Sequence, residues 1–207
     1  MFLPQHLQSL NTEVNVMNIK FTKGNWEEYF EHAYNEKFPF KPQFIQEEDC
    51  IVNGSNPEMK DFAYDYTTIM TKEMFGKGTK IHTTCSFEEF GAPLLTFTDT
   101  MKRDEDGDLW YAACKEVVLW KDGVNVWDLY VEDGEIKYHL LAAVKFDLEK
   151  NVKHELFVEL GEESVRFVIG DKDVMVRIAD LPEKVYIGIT TCENINRFYD
   201  LKIEKGE

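Results

Sequence analysis

The stretch 109–131, LWYAACKEVVLWKDGVNVWDLYV, constrains the fold more than any other part of the chain. Three of the four tryptophans, Trp110, Trp120 and Trp127, fall inside it. It reads as two long strands joined at Lys121-Asp122-Gly123, because Asp-Gly between two apolar runs supplies residues that tolerate φ > 0. In the first strand Val117 and Leu119 point to one face, Val118 and Trp120 to the other. A strand that is apolar on both faces belongs inside a packed sheet rather than at its edge. Glu116 on this strand and Asn125 on the next therefore need a partner or a cleft, since burying an unpaired polar group costs free energy.

Alternation recurs along the rest of the chain. DFAYDYTTIMTKEMF, from residue 61, places Phe62, Tyr64, Tyr66 and Met70 on one face. TKIHTTCSF sets Ile81, Cys85 and Phe87 against Lys80, His82, Thr84 and Ser86. Further strands are read at APLLTFTD (92–99), EIKYHLLAAVKFDL after Asp133-Gly134, VKHELFVEL (152–160), KVYIGITTC (184–192) and NRFYDLKIE (196–204). MNIKF, QFIQ and CIVN are shorter ones. The segment NWEEYFEHAYNEKF (25–38) is ambiguous: Trp26, Tyr29, Phe30, Ala33 and Phe38 fall near helical spacing, while the aromatic content suits a strand. Many short strands divided by Gly, Asp and Pro turns indicate an all-β sandwich or jelly roll. There is no internal repeat and no low-complexity linker, so residues 1–207 read as a single domain, with 1–16 a weakly patterned peripheral segment.

Charge and cysteine usage narrow the function classes. A formal net charge of −16 argues against nucleic acid and anionic membranes as partners, and leaves neutral ligands open. The opening MFLPQHLQSL has no basic n-region and no apolar h-region, and no run reaches the length of a membrane span. The expected location is cytoplasmic for the sequence as it stands; a leader already removed is compatible with this. Cys50, Cys85, Cys114 and Cys192 are far apart, form no CxxC pair and sit in strand contexts, so buried free thiols are expected rather than a zinc site. Oligomeric state leaves no signature.

The second half has a recognisable order: the alternating strand KHELFVEL, the hairpin SVRFVIGDKDVMVRI, Leu181-Pro182, then YIGIT and a closing strand with Asp200-Leu201-Lys202-Ile203. Over about residues 60–204 this resembles the concanavalin A-like lectin/glucanase superfamily, including laminin-G-like and family-16-glucanase-like jelly rolls. The resemblance implies two curved antiparallel sheets and, where there is a carbohydrate site, its placement on the concave face.

Sugars are held by aromatic faces stacked on C–H-rich surfaces and by planar polar groups that bond hydroxyls. Trp120, Trp127, Tyr111 and Asn125 are of these types, and Arg197 adds a planar cation. The leading expectation is an oligo- or polysaccharide-binding protein using these residues, with no cofactor. The alternative is a carbohydrate-active enzyme, a glycoside hydrolase or polysaccharide lyase, with Glu116 and His82 as the catalytic pair. Hydrolysis needs two carboxylates about 5–5.5 Å apart for retention or about 6.5–9.5 Å for inversion. The family-16 E-x-D-x-E run is absent, and KEVVLWKD carries only Glu116 within its strand. A lyase would use His82 or Tyr111 as base, with Asn125 or Arg197 stabilising an enolate. A third reading is a protein-interaction module, which calls for aromatics on a flat face.

Two other features read both ways. Cys192–Arg197 is either a binding loop or a turn whose Asn residues take left-handed conformations and whose Arg pairs with an acid. Asp104, Asp106 and Asp108 alternate as calcium ligands do, but Gly107 and Lys115 stand at the wrong places for an EF-hand. The plain reading is a charged loop closed by Asp106-Gly107; calcium of another type enters only because related jelly rolls sometimes carry it.

Overall fold

A computed structural model of the protein describes residues 16–22, 24–39, 41, 43–54 and 66–206. The described strands are β1 (Val16–Lys20), β2 (Phe30–Asn35), β3 (Phe44–Gln46), β4 (Ile51–Asn53), β5 (Tyr66–Thr71), β6 (Phe75–Gly76), β7 (Lys80–Phe87), β8 (Ala92–Thr98) and β9 (Lys102–Arg103). They continue as β10 (Leu109–Tyr111), β11 (Cys114–Trp120), β12 (Gly123–Glu132), β13 (Glu135–Lys145), β14 (His154–Leu160), β15 (Ser164–Ile169), β16 (Lys172–Arg177), β17 (Lys184–Cys192) and β18 (Asn196–Glu204). The expected peripheral segment at 1–16 lies, but for Val16, outside the described residues, as do Phe62 and Tyr64.

Two sheets form a sandwich of the jelly-roll type. One has ten strands in the order β13-β12-β11-β8-β17-β5-β2-β10-β9, with β6 on the start of β17. The other has eight, in the order β16-β15-β14-β7-β18-β4-β3, with β1 also on β18. Pairing is antiparallel apart from the short parallel contact of β10 with β2. Between the sheets lies one hydrophobic cluster. Val117, Leu119, Val124, Val126, Leu95 and Ile189 enter it from the ten-stranded sheet; Ile81, Leu156, Val158, Phe167, Leu201 and Ile203 enter from the other. Trp120 and Trp127 stay outside it, on the far face of their sheet.

Two local readings are revised. Residues 25–38 form a single 3-10 turn, Trp26–Glu28, and then the strand β2. The strand wins because β2 has ladder partners on both sides, β5 and β10, that propensity alone does not reveal. At the turn between β11 and β12 only Gly123 takes positive φ, +129°. A side chain there would also strike the Val144 carbonyl oxygen, 2.0 Å from the ideal Cβ position. The turn with φ > 0 at both central residues is instead Asp133-Gly134, at +54° and +78°, between β12 and β13.

Candidate functional site

The period of two in β11 decides what faces outward on the ten-stranded sheet. With Val117 and Leu119 in the core, Cys114, Glu116, Val118 and Trp120 must point away from it. The antiparallel register then sets Asn125 beside Val118, Trp127 beside Glu116 and Leu129 beside Cys114. On the other side, β8 brings Thr96 to Glu116 and Leu94 to Val118. Through β17 and β5 the rows continue as Leu94–Thr190–Thr68 and Ala92–Cys192–Tyr66.

These rows support a cleft of about 360 Å³. Its floor is apolar, made by Ala92, Leu94, Val118 and Leu129. Its walls are aromatic: Trp120 and Trp127 from the hairpin, Tyr138 from β13, Phe38 after β2, and Phe90 at the mouth. Tyr138 meets Trp127 edge to face, with ring centroids 6.2 Å apart. Asn125, Lys37 and Glu193 supply its polar edges. Glu193 stands in the β17–β18 turn at φ +55°, and burial pushes its carboxyl above the usual range.

A polar layer lies under one side of this cleft. Thr96 Oγ1 and Thr190 Oγ1 are 2.8 Å apart, Thr190 and Thr68 2.9 Å, and Thr68 Oγ1 and the Tyr111 hydroxyl 2.9 Å. Tyr66 donates its hydroxyl to Glu116 Oε1, which also accepts from Cys114 Sγ at 3.7 Å. The Tyr66 ring lines the cleft and stacks on Phe38 at 4.8 Å. Glu116 is only 6% exposed. Burial pushes its carboxyl up to about 7, against the two hydrogen bonds that favour the ionised form. Burial also pushes the Tyr66 and Tyr111 hydroxyls upward.

Of the residues singled out in the sequence, Trp120, Asn125 and Trp127 meet in the cleft. Tyr111 is on the same face but buried, and its ring offers no surface for stacking. His82 does not join Glu116. It projects from β7 on the outer face of the eight-stranded sheet, exposed and against Phe157 at 4.7 Å, with the core between them. The pairing fails because it requires side chains from two sheets whose outer faces look in opposite directions. Arg197 is likewise on the eight-stranded sheet, where it donates to Glu88 at 2.7 Å and Glu47 at 3.4 Å. Its loop is a turn with Glu193 and Asn194 at positive φ, and Cys192 and Glu193 of the same segment also line the cleft.

Sequence reasoning missed Phe38 and Tyr138 as cleft residues, and the threonine layer; Glu193 belongs to the segment it left open between a binding loop and a turn. The available signal was threonine at outward positions of otherwise apolar strands, Thr68, Thr96 and Thr190. The aspartate loop has a structural use. Asp104 accepts from the N–H groups of Asp106 (3.0 Å) and Asp108 (2.9 Å) and from Trp110 Nε1–H (2.8 Å). Partial desolvation acts upward on its carboxyl, but these bonds prevail and hold it below the usual range. Asp108 pairs with Lys41.

Comparison with solved structures places the fold in known company. A carbohydrate-binding module, CBM66 from Bacillus subtilis, matches with a TM-score of 0.60 at 13% identity, covering 85% of this chain and 95% of the other. A Bacillus subtilis protein of unknown function with a galectin-like fold matches with a TM-score of 0.67 at 11% identity, over 91% and 94%. A Bacillus licheniformis β-glucanase matches with a TM-score of 0.59 at 12% identity, over 92% and 98%. No protein-family profile and no curated protein matches the chain. The likeness is one of fold, and it is the concanavalin A-like jelly-roll resemblance that the strand order suggests.

Proposed function

We propose that the cleft on the ten-stranded sheet binds a carbohydrate without cleaving it. The observation that carries this is the convergence of Trp120, Trp127, Tyr138 and Phe38 with Asn125 around one apolar floor. Aromatic rings supply large rigid stacking area, and the amide can donate to and accept from hydroxyls at once. A groove rather than a flat apolar face suits a small or linear ligand better than a protein surface. The neighbours in fold include a carbohydrate-binding module and a β-glucanase, which supports a saccharide over other small molecules.

Catalysis is not the favoured reading. Glu116 lies at the base of the sheet face, engaged by Tyr66 and Cys114. The outward positions flanking it on β8 and β12 are Thr96 and Trp127, neither of them an acid. The close pair of carboxylates that retention needs, about 5–5.5 Å apart, is therefore not supplied by these flanking positions.

The test is a panel of soluble polysaccharides and oligosaccharides, read by affinity electrophoresis and by mass spectrometry of the products. The expected result is retardation by at least one neutral glycan, with no fragments released. Trp127→Ala should weaken that binding at least tenfold while the far-ultraviolet spectrum is unchanged. Fragments formed by the wild type and lost in Glu116→Gln would establish an enzyme instead: saturated ones a hydrolase, ones lighter by a water a lyase. A folded protein that binds no member of the panel would remove the carbohydrate reading.

A further inference from the structure

A carboxylate buried beneath a binding face needs a reason, because ionisation in such a place is costly. Glu116 makes no ion pair among the described residues. Among the described residues, the titratable groups facing it are Tyr66 from β5, Tyr111 from β10 and Cys114 from its own strand. β8 and β12 present Thr96 and Trp127. Lys115 points to the opposite side of the sheet, where it pairs with Asp128 at 2.6 Å and Asp180 at 2.7 Å. What Glu116 does hold is the Tyr66 hydroxyl. Tyr66 in turn presents its ring to the cleft and carries Phe38 stacked upon it.

We propose that Glu116 is a positioning residue that regulates the cleft: gain or loss of its proton changes its hold on the Tyr66 hydroxyl and so shifts the Tyr66–Phe38 wall. When ionised, Glu116 is an acceptor only and fixes Tyr66 as the donor. When protonated, it brings a donor of its own to the same atoms. The Tyr66 hydroxyl, which already interacts with that of Tyr111, can then accept from Glu116 and donate to Tyr111, whose own hydroxyl is engaged with Thr68. What moves the ring is a change in the separation of the Glu116 carboxyl and the Tyr66 hydroxyl oxygen, because that oxygen and the ring are one rigid group beyond two side-chain torsions, and Phe38 is stacked on the ring. The midpoint near neutrality that burial gives Glu116 agrees with such a role. This inference rests on the cleft being the binding site. It makes the affinity for the glycan a function of pH.

The experiment needs no ligand, so it succeeds or fails apart from the carbohydrate reading. The full chain, labelled with ¹³C at glutamate carboxyls and at aromatic rings, is titrated by nuclear magnetic resonance between acid and mildly alkaline pH. The expected result is one carboxyl, lost from the spectrum of Glu116→Gln, with a midpoint near neutrality. The Phe38 ring and the Trp127 indole should shift with the same midpoint, and should show no such step in Glu116→Gln. Tyr66→Phe, which keeps the ring and removes the hydroxyl, should leave the Glu116 step in place and uncouple Phe38 from it. Phe38 and Trp127 signals that stay constant while Glu116 titrates would overturn the proposal. So would a Phe38 step that persists in Tyr66→Phe.

Discussion

The two outer faces of this sandwich are built from similar residue types and put them to different uses. On the eight-stranded sheet, a broad groove of about 870 Å³ is lined by His82, Phe157, Lys20, Asp200 and Lys202. Its charges are matched side by side in solvent, as in Lys20–Asp200 at 3.6 Å and Lys153–Asp49 at 3.2 Å. On the ten-stranded sheet the polar layer under the cleft consists of threonine and tyrosine hydroxyls and one carboxylate, bonded to each other and closed over by aromatic rings. The first face is wet and locally neutralised; the second is a small second core with a cleft above it. The lesson is that a polar residue's worth depends on what covers it. An exposed pair is screened by water, whereas a covered hydroxyl must find its partner within the protein.

The largest way to test that contrast is through Glu116. Its carboxyl is raised from 4.5 to about 7 by burial. Below about pH 4.5 it is protonated in both folded and unfolded chains and contributes no pH dependence. Between there and about pH 7 the unfolded chain releases the proton while the native one keeps it, so stability falls as pH rises. Above pH 7 both are ionised and the loss is complete, at about 3 kcal/mol for this group. Denaturant midpoints of the wild type minus those of Glu116→Gln should therefore decline across that window and then level off. A difference that stays flat with pH would mean that Glu116 is solvated, and that the ten-stranded face is no drier than the other.

The middle-sized test compares threonines. Thr190 sits at the centre of its layer, bonded to both Thr68 and Thr96, and it is fully buried. Thr190→Val keeps the shape but strands the Thr96 hydroxyl, at a cost of about 1–3 kcal/mol. Thr84 on the other face donates to Asp200 Oδ2 at 3.2 Å where water can replace it. Thr84→Val should cost under about 0.5 kcal/mol. Equal losses in urea unfolding would break the comparison.

The same contrast explains what could be read from the chain. The alternation Val117/Leu119 against Val118/Trp120 was legible because strand periodicity is local, and it correctly set Trp120, Asn125 and Trp127 on one face once the hairpin was recognised. Sandwich architecture followed from many short strands and their turns. The partners across the sheet were not legible. Glu116 meets a tyrosine 50 residues away, and Thr68 bonds Thr190 across 122. His82 looked as suitable as Trp120 for a site because both stand on alternating strands. Only the sheet order shows that one faces a cleft and the other an ion-paired surface. Tyr111 shows the same limit: residue type suggests stacking, whereas the structure buries the ring and bonds its hydroxyl to Thr68.

The smallest expected effect comes from the strongest-looking contact on the wet face. Arg166 reaches Asp173 with two bonds, both of 2.8 Å, and Glu159 with a third at 3.2 Å. Counted as contacts, this cluster outweighs the single bond from Tyr66 to Glu116. Counted as free energy it should not, because its members stand in solvent, water replaces each lost bond, and three long side chains must be ordered to make it. Arg166→Ala should leave the urea midpoint indistinguishable from wild type at physiological ionic strength, with any difference fading further as salt is added. Its guanidinium also lies over the Phe157 ring, at 5.6 Å from the centroid, so Arg166→Lys and Arg166→Met separate charge from cover. If Arg166→Ala unfolds the protein as readily as Thr190→Val does, contact number rather than cover governs both faces.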